Sequence, residues 1–171
     1  MSKKPKKKLH LRNKQDVAKS LEKLRQESLQ RQKNTTPTPV SLPAPGTKMA
    51  DGTIYAGQTK NKKPFYAAPS DVSITMTFNQ AAEHIKKVNK EKYLGFSDWR
   101  LPTREELTIL QRSKNTGAFN KTFVDREHNY KGWYCSSEVR DERAYDQRFV
   151  DGFGEYHDVK MSHSSVRLVR G

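Results

Sequence analysis

The chain has 171 residues, a formal net charge of +14 and a hydrophobic content of only 33%. One domain of ordinary size with a solvated appendage fits this composition. A single cysteine, Cys135, excludes an intrachain disulfide and any metal site built from several cysteines. Apolar runs of the length that a Sec-type signal or a membrane span requires do not occur. We therefore expect no transmembrane segment and a cytoplasmic location, with export by a route that needs no such signal left open.

The positive charge is concentrated at the amino-terminal end. Residues 1–45 hold 12 basic and 3 acidic residues, a net charge of +9, whereas residues 46–171 have a net charge of +5. We expect a basic arm over residues 1–33, with a marginal helix at 15–33, and a Pro/Thr-rich linker at 34–47. The arm presents five lysines that attract polyanions: Lys3, Lys4, Lys6, Lys7 and Lys8.

Two interpretations of this arm stay open. It binds the phosphates of nucleic acid without sequence selectivity, or it is a solvated tail that aids solubility. Base stacking is not expected from the arm, because the first aromatic residue of the chain is Tyr55. A membrane-surface role is less favoured, since the apolar stripe at 15–33 lacks Trp and Phe.

Residues 48–171 predict an α+β domain. Short strands at 53–57 and 64–69 form a hairpin, and Thr77 caps a helix that runs to about residue 92. After an irregular stretch at 95–101, a capping box of Thr103 and Glu106 starts a second helix, which ends near Ser113. A long ordered loop follows at 114–131. The remaining segments predict antiparallel strands: 132–137, 144–150, 155–161 and 165–170.

Three segments of this domain resemble one known family. Residues 98–103 read Asp-Trp-Arg-Leu-Pro-Thr, residues 132–137 read Gly-Trp-Tyr-Cys-Ser-Ser, and residues 165–170 read Ser-Val-Arg-Leu-Val-Arg. They resemble, in order, motifs of the Lcl C-terminal domain family, a bacterial family named after a collagen-like adhesin. Cys135 stands where tryptophan is usual in that family. The resemblance covers about residues 50–171 and excludes the arm and the linker.

The resemblance implies a C-type-lectin-like fold, with two helices against a twisted antiparallel sheet and chain ends close together. It also implies a binding domain whose long loops carry recognition. The adhesin of this family binds sulfated polysaccharides, but the present chain has no collagen repeats. The motif residues are expected to be structural: Asp98, Trp99, Arg100, Pro102, Trp133, Arg167 and Arg170.

The three motifs contain both tryptophans of the chain and three arginines. One hypothesis makes Trp99 and Trp133 platforms on which a sugar stacks. We instead expect both indoles to lie in the core between helix and sheet. The arginines lie beside apolar residues and need acceptors, for which Asp98, Glu105 and Asp146 are candidates.

We expect a non-enzymatic recognition module whose ligand is a protein or an anionic polymer. The predicted binding face is formed by the loops at 114–131 and 138–143. Its candidate ligand-binding residues are polar or basic: Asn115, Asn120, Lys121, Arg126, His128, Arg140 and Arg143. The alternative is a nucleic-acid-associated protein that binds through the arm.

We predict no catalytic residue, no cofactor and no metal. The acids between 141 and 158 are interleaved with arginines, which disfavours calcium. An enzyme of the formylglycine-generating type is an unfavoured third reading, because its copper site needs two cysteines. Cys135 lies in a predicted strand and is expected to be a buried, inert thiol.

Overall fold

The structure is a computed structural model that describes residues 14–34, 42–125 and 130–171. Three helices and two antiparallel sheets make it α+β, as predicted. The helices are α1 (Lys14–Asn34), α2 (Phe78–Lys90) and α3 (Arg104–Ser113). The strands are β1 (Thr47–Lys48), β2 (Ile54–Gln58), β3 (Pro64–Ala67), β4 (Trp133–Arg140), β5 (Arg143–Arg148), β6 (Gly154–Asp158) and β7 (Val169–Arg170).

The chain divides into two units, residues 1–42 and 43–171. The first contains α1, which occupies the segment predicted to be helical. Val17, Leu21 and Leu24 of this helix are exposed. The five lysines at positions 3–8 lie outside the described residues. In the described part of the chain, no helix combines the length and apolarity that a membrane crossing needs.

The second unit holds both sheets. One has the strand order β1-β2-β3-β7, so the beginning and the end of this unit meet in the same sheet. The other has the order β4-β5-β6. Helix α2 contributes Ala81 and Val88 to a core cluster with Cys135 and Ala144, whereas α3 contributes Leu107 and Leu110 to a cluster with Tyr134 and Phe149.

The segment around Trp99 holds α2 against the following chain. Trp99 is buried, and its indole N–H donates to the carbonyl of Tyr93 at 2.8 Å. The Asn89 side chain accepts from the Trp99 N–H and donates to the Trp99 carbonyl, both at 2.8 Å. The prediction that Trp99 is a core residue is confirmed.

Helix α3 starts with the predicted capping box. The Thr103 hydroxyl accepts from the Glu106 N–H, and the Glu106 carboxylate accepts from the Thr103 N–H. Glu106 is buried, and Arg100 donates to both of its oxygens, at 2.7 and 2.8 Å. Burial alone would raise the pKa of Glu106, but these donors outweigh it and the pKa is lowered. The partner of Arg100 is therefore Glu106, which was not among its predicted acceptors.

Arg167 lies at the centre of a buried polar network. Its side chain is fully buried and pairs with Asp71 at 2.6 Å. The guanidinium also donates to the carbonyls of Ala68 and Thr122, and the Phe123 ring lies 4.0 Å from its carbon. The hydroxyl of Tyr134 donates to the second oxygen of Asp71 at 2.5 Å. One charged pair thus joins the loops around residues 70 and 122 to strand β4.

The loop after α3 is fixed at its start by a close backbone approach. Ala118 donates its N–H to the carbonyl of Gly46 at 2.8 Å. A Cβ added at Gly46 would lie 2.3 Å from the carbonyl oxygen of Thr116, and one at Gly117 would lie 2.5 Å from that of Gly46. Both glycines also have positive φ, so only glycine fits this contact.

Two predictions for the carboxyl-terminal part need correction. Only Val169–Arg170 of the predicted strand at 165–170 is a strand. Before it, Ser165 forms a single bridge to Tyr134, and the carbonyls of Val166 and Leu168 accept from the N–H groups of Val72 and Ala68. Trp133 is not a core residue but is partly exposed. Of the arginines, Arg170 pairs with Asp98 at 3.0 Å, as predicted, whereas Arg167 pairs with the unpredicted Asp71.

Replacing Arg167 tests the weight of the buried network. We expect Arg167→Ala to lower the free energy of unfolding by about 3–5 kcal/mol, because it leaves the Asp71 carboxylate buried without its cation. Asp71→Asn removes the anion and one of the two accepting oxygens, so we expect a loss of similar size. Urea denaturation followed by tryptophan fluorescence measures both.

The matched control is Lys86→Ala. Lys86 pairs with Glu83 at 2.7 Å, but both side chains are more than 70% exposed, so we expect a loss below about 1 kcal/mol. Similar losses for Arg167→Ala and Lys86→Ala would contradict the central position given to Arg167.

Candidate functional site

The two faces of the β4-β5-β6 sheet carry different side chains. Tyr145 and Tyr156 are paired across β5 and β6, on the face over which Arg104 of α3 lies. Side chains alternate along a strand, so Ala144 and Arg148 lie on the other face, with Trp133 and His157 as their cross-strand neighbours. We call these the α3 face and the Trp133 face. Each of them borders a hollow.

The hollow beside the α3 face is basic. Its volume is about 570 Å³, and it lies between the β2–β3 turn, α3 and the β4–β5 hairpin. Lys60, Arg104 and Arg112 line it, together with Glu105 and Glu138. We call it the basic hollow.

The cations of the basic hollow outnumber its acids by three to two. The carboxylate of Glu105 accepts from the backbone N–H of Lys60 at 2.6 Å, not from a side chain. Within the described residues, none of Lys60, Arg104 and Arg112 forms an ion pair. All three side chains are exposed. The hollow thus offers an excess of positive charge to an anionic ligand.

Aromatic contacts position the arginines along this face. The Arg104 guanidinium lies 4.4 Å from the Tyr145 ring centroid, and Arg140 lies 5.4 Å from that of Tyr156. The two tyrosine rings are 5.5 Å apart in an edge-to-face arrangement. A guanidinium held on an aromatic face keeps its N–H donors available for carboxylate, sulfate or phosphate.

The hollow on the Trp133 face is aromatic. Its volume is about 600 Å³, and Trp133, Tyr130, His157 and Met161 line it together with His163 and three small polar residues. The imidazole of His157 packs against Trp133 with 4.9 Å between ring centroids, and Phe153 contacts the same indole at 6.0 Å. We call it the aromatic hollow.

A buried carboxylate supports the base of the aromatic hollow. Asp146 is 2% exposed, and one of its oxygens accepts from Ser164 at 2.5 Å and lies 3.0 Å from Nδ1 of His157. The hydrogen bond to Asp146 raises the pKa of His157, with a smaller contribution from Glu155, and outweighs partial burial. The protonated imidazole is thus stabilised by Asp146, which fixes the ring at the base of the hollow.

Ser164 and Cys135 both neighbour Asp146. The Ser164 hydroxyl donates to Asp146 and not to His157. Burial and the neighbouring Asp146 raise the pKa of Cys135, which opposes thiolate formation. No group of three metal-ligating side chains occurs in the described part of the chain.

The structure places the predicted ligand-binding residues in different parts of the domain. Asn115 and Lys121 line a small hollow of about 280 Å³ beside Asp125, and Asn120 is exposed next to them. Arg140 and Arg143 are exposed at the β4–β5 hairpin. Arg126 and His128 lie outside the described residues.

The two predicted loops do not form one hollow. The loop after α3 lies at the end of β5, where Lys114 donates to the Phe149 carbonyl at 2.5 Å. The hairpin lies at the start of the same strand. The five steps from Arg143 to Arg148 span about 17 Å at 3.3 Å per residue.

Sequence reasoning missed Lys60, Arg104 and Arg112. The spacing of Arg104, Thr108 and Arg112 at i, i+4 and i+8 places both arginines on the polar side of α3, which is a signal that the sequence contains. The position of Lys60 depends on how the β2–β3 hairpin packs on that helix, and no local pattern gives it.

Residues 47–170 match the Lcl C-terminal domain family. The chain belongs to this family. The match spans 124 of the 171 residues and contains both hollows, whereas α1 precedes it. No curated protein matches the chain significantly. Membership in the Lcl C-terminal domain family accounts for the three motifs around Trp99, Trp133 and Arg167.

The contact between Asp146 and His157 predicts a pH dependence. The folded-state pKa of His157 lies above its ordinary value of about 6.5. Its stabilising contribution is therefore fully present below about pH 6.5 and is lost as the pH rises through the folded-state pKa. We expect His157→Gln to destabilise the protein more at about pH 5.5 than at about pH 8.5 in urea denaturation.

An NMR titration of the His157 ring gives an independent measurement. We expect a midpoint above about 6.5 in the wild type and a lower midpoint in Asp146→Asn, which removes the negative charge. A wild-type midpoint at or below the ordinary value would show that Asp146 does not stabilise the imidazolium.

Proposed function

We propose that residues 47–170 form a non-enzymatic recognition domain that binds an anionic polymer at the basic hollow. The observation that carries this proposal is the set of three exposed cations, Lys60, Arg104 and Arg112, without an ion-pair partner in the described residues. Nearby exposed Arg140 and Arg143, which the sequence suggested, extend the same positive surface.

The spacing of the cations favours a polymer over a single small anion. Arg104 and Arg112 are eight residues apart on α3, which corresponds to about 12 Å along the helix axis. That separation exceeds the Debye length of about 8 Å at physiological salt, so the two charges repel each other little. A ligand that engages both must carry at least two negative groups at a similar distance.

The ligand class that fits best is a sulfated or otherwise acidic polysaccharide. Planar guanidinium groups bind sulfate and carboxylate oxygens with two parallel hydrogen bonds. The adhesin after which the family is named binds sulfated polysaccharides, which agrees with this class.

A C-type-lectin-like fold is part of the same proposal. Two features support it: β1 and β7 bring both ends of the domain into one sheet, and two helices pack with antiparallel strands. The raised pKa of the buried Cys135 thiol, which opposes its use as a nucleophile, supports a function without catalysis.

Charge-neutralising substitutions test the basic hollow. We expect the double variant Arg104→Gln/Arg112→Gln to bind heparin, a sulfated polysaccharide, roughly tenfold more weakly than the wild type, since each exposed ion pair contributes up to about 1 kcal/mol. Raising the salt concentration should weaken wild-type binding more than that of the variant. Isothermal titration calorimetry at two salt concentrations measures both effects.

The matched control is Lys87→Gln/Lys90→Gln, which removes the same charge from the exposed side of α2. It should change heparin affinity much less. A second comparison replaces Lys3, Lys4, Lys6, Lys7 and Lys8 with Gln. Loss of binding in this arm variant alone would refute the basic hollow as the site and favour the nucleic-acid-associated alternative, which duplex DNA as a probe would then test.

A further inference from the structure

The exposed apolar residues of the second unit gather around the aromatic hollow. Of the five large hydrophobic side chains that are exposed in the described part of residues 43–171, three lie there: Tyr130, Met161 and Phe153. Tyr130 and Met161 line the hollow and are 72% and 78% exposed. Phe153 contacts Trp133. Aromatic and methionine side chains grouped in this way are typical of protein interfaces.

Strand β6 forms an edge beside this hollow. It pairs with β5 on one side and with no other strand among the described residues. The Arg148 N–H donates to the Phe153 carbonyl, and the Val159 N–H donates to the Glu142 carbonyl. In an antiparallel pair, only every second residue of a strand turns its N–H and C=O toward the neighbouring strand. By that alternation, the N–H and C=O of Tyr156 point away from β5. Within the described residues, neither group has a hydrogen-bond partner.

The aromatic hollow lies beside the outer edge of β6. His157, the next residue of β6, projects its side chain into the aromatic hollow, while the backbone of Tyr156 faces outward. A strand added at about 4.8 Å from β6 would place every second side chain on the Trp133 face, beside His157.

Charge distinguishes this surface from the basic hollow. Arg148, which lies 5.4 Å from the Trp133 ring centroid, is already paired with Asp151 at 2.5 Å. Glu155 adds a negative charge next to His157. A polyanion therefore gains little here, whereas an apolar side chain gains the burial of Trp133, Tyr130 and Met161.

We propose that β6 and the aromatic hollow bind an extended segment of a partner protein. The segment adds to the β4-β5-β6 sheet as an antiparallel or parallel strand and inserts one aromatic or large aliphatic side chain into the hollow. This interaction is independent of the basic hollow, which lies on the α3 face.

A displayed library of random twelve-residue peptides provides the probe. Peptides selected on the full-length protein are synthesised, and their affinities are measured by fluorescence anisotropy. We expect Met161→Asp and Tyr130→Ser to weaken binding at least about tenfold, since they alter two exposed contacts of the hollow. The control is Arg104→Gln/Arg112→Gln on the α3 face, which should leave peptide affinity unchanged.

Backbone N-methylation tests the strand geometry. In an added strand, alternate amides face β6, so two versions of one peptide that are methylated at alternate positions should differ in affinity at least about tenfold. The proposal is overturned if no peptide is selected, if both methylated versions bind alike, or if Met161→Asp has no effect. A concentration-dependent dimer that Met161→Asp disrupts would also overturn it, in favour of a second copy of this chain as the occupant.

Discussion

The domain depends on one buried ion pair. Arg167 is fully buried, and its partner Asp71 also accepts from Tyr134. A buried guanidinium is costly unless every donor finds an acceptor. The acceptors here come from the carbonyls of Ala68 and Thr122 as well as from Asp71. The hydrogen bonds of the Arg167 guanidinium therefore fix the positions of the loops around residues 70 and 122. These loops in turn support the start of β4, where Trp133 lies.

With β4 in place, the alternation of side chains in the β4-β5-β6 sheet produces two chemically different surfaces. Helix α3 lies over the face that carries Tyr145 and brings Arg104 onto its ring. The opposite face carries Trp133 and His157, and Asp146 holds the His157 imidazole in place. The first surface has exposed cations and suits an extended anion, whereas the second has exposed apolar rings next to an open strand edge. The two proposed binding surfaces thus lie on opposite faces of one short sheet.

Local signals allowed much of the fold to be predicted from the sequence. The capping boxes at Thr77 and Thr103 mark the helix starts because their side-chain spacing matches the orphan N–H groups of the first turn. The family motif identified Trp99 and Arg167 as structural. The exposure of Trp133 was mispredicted, since an indole near the core is the usual outcome, and the hollow around it forms from segments distant in sequence. Asp71 was missed as the partner of Arg167 because the two residues are 96 positions apart.

The proposed function rests on where an anionic ligand touches the chain. An NMR titration of the full-length protein with a sulfated hexasaccharide tests it most directly, through the backbone amides and the two indole N–H signals. We expect the largest shifts at Lys60, Arg104 and Arg112 and little change at the Trp133 indole. Shifts confined to residues 1–45, with Lys60, Arg104 and Arg112 unmoved, would contradict recognition by the folded domain and place the polyanion site in the basic arm.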